Sequence, residues 1–220
     1  FTFSNLACGM ISITYTLQQD FFHGALFILL AMAADAMDGR AARFFGVSGR
    51  MGEELDSLCD MSSFGVAAGI LVYQYSLIHY GLFGLAAAIL FAVSVCYRLA
   101  RFNVNTTTVK GYFMGMPCPA GGCLVATFII TGIRPPEAVV LVWTLVFAYL
   151  MVSAIKYPDF KGKGNPIKMP STAITAVLIA YVIYMLPAGK FFIAVPFLVF
   201  FAYAVLGIVN WLYCMLFVKD

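Results

Sequence analysis

Residues 22–44, FHGALFILLAMAADAMDGRAARF, open as an apolar run and close on Asp35, Asp38, Arg40 and Arg43. A helix needs about 20 residues to cross hydrocarbon, so this stretch reads as a membrane helix with charge gathered at one end. The chain around it is nearly charge-free. Of its ten acidic residues, Asp35, Asp38, Glu53, Glu54, Asp56 and Asp60 all fall between positions 35 and 60. A carboxylate at membrane depth costs on the order of 3 kcal/mol on insertion scales, so several together require cations or water to balance them.

Working outward, 63% of the 220 residues are hydrophobic, 10% are charged and the mean hydropathy is +0.95. Soluble domains carry roughly 25% charged residues, which excludes that class. Apolar runs over 3–18, 22–44, 52–76, 81–104, 114–133, 136–156, 170–187 and 190–217 predict an all-α, polytopic integral membrane bundle of about eight transmembrane helices. With the N-terminus inside, Arg40, Arg43, Arg50, Arg98, Arg101, Lys110, Lys156, Lys161, Lys163, Lys168 and Lys219 fall on the cytoplasmic side, against Arg134 and Lys190 outside. That bias orients the acid cluster towards the cytoplasm. The net charge of +3 follows from topology and gives no reason to expect nucleic acid.

Cys8, Cys59, Cys96, Cys118, Cys123 and Cys214 form no C-x-x-C pair and read as small hydrophobes within apolar runs. Phe1 stands where an initiator Met would, so residues upstream of it are expected. The first apolar run has no charged n-region and reads as a helix of the mature protein. The longest polar interruptions, 103–112 and 156–169, share the cytoplasmic face and are candidates for substrate contact. No repeat or linker divides the chain.

Asp35 and Asp38 are spaced i, i+3, and Asp56 and Asp60 are spaced i, i+4, so each pair shares a helix face. Gly46-Val-Ser-Gly49 is a turn signal between them, which lets four carboxylates converge. Such a group calls for one or two divalent cations, and all-oxygen ligation favours Mg²⁺, Mn²⁺ or Ca²⁺ over Zn²⁺. Gly39 and Gly52 beside the acids suggest close approach of a bulky ligand to the backbone, with helix packing as the alternative. Arg43 offers a fork suited to phosphate oxygens. Metal, Arg and glycines at a membrane surface describe a diphosphate site. Asp60, one turn deeper than Asp56, is the expected general base for an incoming alcohol.

These residues fill D-x-x-D-G-x-x-A-R, eight residues, G-x-x-x-D-x-x-x-D, at Asp35, Asp38, Gly39, Ala42, Arg43, Gly52, Asp56 and Asp60. This pattern resembles the signature of the CDP-alcohol phosphatidyltransferases. The resemblance implies a pair of divalent metals on the four aspartates, Asp60 as base, and a CDP cradle that includes Gly39, Ala42, Arg43 and Gly52. It also implies a homodimer, and a core of six helices over 1–161 to which 162–220 add two more in the same domain.

Three further stretches resemble the phosphatidylserine synthase branch: Thr2-x-x-Asn5-x-x-x-Gly9, whose Asn would face the nucleotide; Arg98-Leu-Ala-Arg101-Phe-Asn103 with the Gly111–Pro119 loop; and Ser153–Lys161. They imply CDP-diacylglycerol and L-serine as substrates, transfer of a phosphatidyl group with release of CMP, and a place in a prokaryotic cytoplasmic membrane. Serine is a zwitterion whose carboxylate needs a cation, for which Arg98 and Arg101 are candidates, with Asn103 beside them. A sister enzyme using glycerol 3-phosphate or inositol phosphate is the alternative. A cation transporter is the alternative from another class; transport sites lie near the midplane between repeats, whereas these acids sit at one end.

Overall fold

A computed structural model of the chain describes residues 2–45, 49–105, 112–158, 169–185 and 191–217. Its helices are α1 (Thr2–Leu17), α2 (Phe21–Phe45), α3 (Arg50–Asp60), α4 (Ala68–Val72), α5 (Gly81–Asn105), α6 (Cys118–Ile130), α7 (Glu137–Val152), α8 (Met169–Met185) and α9 (Phe191–Phe217). Every apolar run in the sequence coincides with part of this set. Three stretches have the length and hydropathy of a membrane span, namely Phe21–Arg40, Arg50–Val104 and Ile193–Phe217, while α6 and α7 are apolar but shorter. The chain is an all-α integral membrane protein whose strands are confined, among the described residues, to one short antiparallel pair.

Its burial pattern is that of a bundle in lipid. On α1 the buried positions are Asn5, Gly9, Ser12 and Thr16, while Phe3, Met10 and Leu17 are exposed. Lipid tails are as apolar as Leu, so small and weakly polar residues take the helix contacts. Ser12 Oγ donates to the Gly24 carbonyl at 2.7 Å, joining α1 to α2. The turn between these helices is capped by Asp20, which accepts from the backbone N–H of His23 at 3.2 Å and meets its ring at 2.7 Å. Those bonds hold the Asp20 carboxyl below the usual carboxylate range.

From α3 the helix continues through a wide, π-type turn at Met61–Ala67, α4, a second wide turn at Tyr73–Leu77 and a tight one at Ile78–Tyr80. Wide turns of this kind recur at functional sites, and the first begins directly after Asp60. Gly81, at φ 52°, then reverses the chain. α5 runs back so closely that a Cβ on Gly84 would stand 2.0 Å from the Leu77 carbonyl oxygen. α6 is buried on nearly every side and forms the centre of the core.

The element that helical periodicity did not forecast is an antiparallel pair, β1 (Tyr112–Met114) with β2 (Lys156–Pro158), in which Phe113 faces Tyr157. It joins the two polar interruptions at their described ends. α9 docks on it: Tyr157 donates to the Ala204 carbonyl at 3.2 Å, and a Cβ on Gly207 would lie 2.2 Å from the Tyr157 ring.

Candidate active site

Two helices deliver the acids to one place, and a third packs against them. α2 carries Asp35 and Asp38 near its end, α3 carries Asp56 and Asp60, and α1 packs against both. Asp35, Asp56 and Asp60 each present a carboxylate oxygen within 4.8 Å of the other two. The Asp35 and Asp56 carboxyl groups are within hydrogen-bond reach of each other. Neighbouring carboxylates cannot all ionise without a compensating charge. Among the described residues no Lys or Arg forms an ion pair with Asp56 or Asp60. Asn5 adds a buried side-chain oxygen, Oδ1, that has no hydrogen-bond partner. The donor set is therefore all oxygen and fits a hard divalent cation. Asp38 lies outside that trio, where its carboxylate accepts the Thr2 hydroxyl.

Asp60 is the deepest of the acids, only 6% exposed. Asn5 Nδ2 donates to its Oδ1 at 2.8 Å, and the Cys118 thiol makes a longer contact, 3.7 Å, with its Oδ2. The same sulfur accepts from Arg98 Nη1 at 3.3 Å. Arg98 is also 6% exposed and lies against the Phe102 and Phe113 rings at 5.5 and 5.9 Å. Its Nε is buried without a partner, and no acid among the described residues pairs with it. A buried cation left so costs several kcal/mol unless an anion reaches it.

Acids and guanidinium open into one cavity of about 730 Å³, which Ser57, Asn103, Phe113 and Pro117 also line. That volume suits a small-molecule site. Asn103 ties its rim together, with Nδ2 donating to Ser57 Oγ at 3.0 Å and to Glu54 Oε2 at 3.3 Å. Among the described residues an added Cβ at Gly39 or Gly52 would meet nothing within 4 Å, so packing against them does not account for either glycine. Ala42 and Arg43 lie on α2, but their side chains fall outside the described residues, as do Lys110, Lys161, Lys163, Lys168, Lys190 and Lys219.

Arg101 occupies a different setting from Arg98. Its guanidinium donates to the carbonyl oxygens of Val152 at 2.8 Å, Met114 at 2.7 Å, Ser153 at 3.0 Å and Met151 at 3.2 Å. The bonds to Met151, Val152 and Ser153 satisfy carbonyls that the end of α7 leaves without helical partners, and the one to Met114 ties that end to β1. Cys118, read from sequence as a small hydrophobe, instead stands between Arg98 and Asp60. Its position between Pro117 and Pro119, at the start of α6, was the one available signal.

The sequence model of the CDP-alcohol phosphatidyltransferases matches residues 1–153. A CDP-diacylglycerol–serine O-phosphatidyltransferase of Helicobacter pylori is 31% identical over 98% of this chain and 90% of its own length. One of Bacillus subtilis is 36% identical over 73% of this chain and 88% of its own. An archaetidylserine synthase of Methanothermobacter thermautotrophicus is 32% identical, over 73% and 68% respectively. Matched over its acid-bearing helices and the start of α6 that carries Cys118, the chain belongs to the CDP-alcohol phosphatidyltransferase family.

Proposed function

We propose that the chain is a CDP-diacylglycerol–serine O-phosphatidyltransferase. One observation carries the choice of alcohol: the buried guanidinium of Arg98, without an acidic partner among the described residues, lines the same cavity as the acids. A zwitterionic acceptor suits such a site, because its carboxylate meets Arg98 while its hydroxyl points to the acids. In this reading Asp35, Asp38, Asp56 and Asp60 hold divalent cations, Mg²⁺ or Mn²⁺, two to a site. Bound there, the ions neutralise the diphosphate and stabilise charge developing at phosphorus. Asn5, Gly39, Ala42, Arg43 and Gly52 form the CDP cradle, with open space over Gly39 and Gly52 for the nucleotide.

Asp60 takes the proton. Its Oδ1 is anchored by Asn5, whereas among the described residues Oδ2 has only the long thiol contact, which leaves it to accept from the serine hydroxyl. The serine oxygen attacks the β-phosphorus, the bond to the bridging oxygen breaks, and CMP leaves. Arg98 and Asn103 orient serine, and Arg101 holds the wall behind them. We assign all eight apolar runs to the membrane, with residues 1–161 as the catalytic core and the cavity open to the cytoplasm. Arg134, against Tyr75 at the opposite end from the acids, supports that orientation.

The test is CMP release from CDP-diacylglycerol with serine, glycerol 3-phosphate, inositol and inositol phosphate in turn. Serine alone should support turnover. A preference for glycerol 3-phosphate would overturn the serine assignment, and no CMP with any acceptor would overturn the transferase.

A further inference from the structure

A second cavity, of about 740 Å³, lies between α8 and α9 and borders the first. Phe113 and Pro117 line both. Its walls are of opposite character to those of the acid site, since no charged residue among the described residues contributes to it. The trough exists because small residues stand where larger ones would close it. Ala176 and Ala180 are one turn apart on α8, and Ala202 is on α9. Tyr203, which lies 5.3 Å from the Tyr157 ring, forms its floor beside the β1–β2 pair.

We propose that this groove seats an acyl chain of the CDP-linked lipid substrate. The inference rests on the phosphatidyltransferase reading above and gives the C-terminal helices a role within it. The diacylglyceryl group is covalently joined to the phosphorus under attack, so its chains must leave the polar cavity within a few bonds of that atom. An uncharged groove sharing a wall with that cavity offers the exit. Burying methylenes there lowers the free energy of the bound substrate, and the extent of burial depends on chain length.

The test compares dioleoyl and dihexanoyl CDP-diacylglycerol with wild type, Ala176→Phe and Ala180→Phe in the metal-supplemented, full-length protein. Each methylene kept from burial costs roughly fourfold, so excluding two should lower the ratio of long-chain to short-chain kcat/KM by about tenfold or more. An unchanged ratio overturns the groove assignment. Absence of CMP release by wild type with either substrate overturns the underlying reading instead. A second measurement needs no variant. CDP-diacylglycerol bearing a diazirine near its chain terminus should label α8 or α9, and unlabelled CDP-diacylglycerol should compete. Labelling confined to other helices, or equal and uncompeted labelling by a diazirine phosphatidylglycerol, overturns the proposal in favour of bulk lipid.

Discussion

Replacing Arg101 by Ala should destabilise the protein more than it impairs serine binding. The guanidinium ties the end of α7 to the strand that precedes Gly115 through its contacts with Val152, Met114, Met151 and Ser153. A hydrogen bond from a charged donor contributes about 1.5–3 kcal/mol. Nη2 divides its two hydrogens among three acceptors, so the set is worth roughly two full bonds, or about 3–6 kcal/mol. At about 2–4 °C per kcal/mol for a chain of this size, the melting temperature should fall by roughly 10 °C. Arg101→Lys keeps the charge but loses the fork, and should recover less than half of that loss. The assay is thermal aggregation of detergent-solubilised protein followed by size-exclusion chromatography, with serine kinetics measured below the transition. Arg98→Ala is the contrast: it should raise the KM for serine by about 30-fold or more, because it removes a desolvated charged contact. If Arg101→Ala melts like wild type and shifts the serine KM as far as Arg98→Ala does, the division of labour between the two arginines is wrong.

Activity should vanish in EDTA and return with Mg²⁺ or Mn²⁺, because the convergent carboxylates need a compensating cation; full turnover in chelator would exclude the metal reading. Asp60→Asn should bind CDP-diacylglycerol nearly as wild type does while losing turnover by several orders of magnitude, as expected of a base. Equal loss of nucleotide binding in Asp60→Asn and Asp35→Asn would make Asp60 a ligand first. Gly207→Leu should separate α9 from the β1–β2 pair, since even a Cβ there overlaps the Tyr157 ring. Unchanged thermal stability of that variant would show that α9 can shift to accommodate the side chain.

What the sequence made legible was the position of each functional group along its helix; what it concealed was the direction of each side chain. At about 100° per residue, groups four apart diverge by roughly 40° and groups three apart by roughly 60° in the opposite sense. Asp56 and Asp60, four apart, stay in one cluster with Asp35. Asp38, three from Asp35, turns to the Thr2 hydroxyl. Arg98 and Arg101 are also three apart. One enters the cavity beside Phe102 and Phe113, and the other reaches the carbonyls at the end of α7. Spacing therefore defined a shared face, and the neighbours on either side of that face decided which contacts each group makes. Those neighbours come from far along the chain. Asn5 arrives on α1 and Cys118 at the first residue of α6, while Met114, which receives Arg101, owes its place to a strand pairing with Lys156. Strands of three residues carry no periodicity strong enough to read. The same limit hid the C-terminal groove: Ala176, Ala180 and Ala202 look like ordinary small residues of membrane helices until α8 and α9 are placed beside Phe113, where the space they leave adjoins the acid cavity.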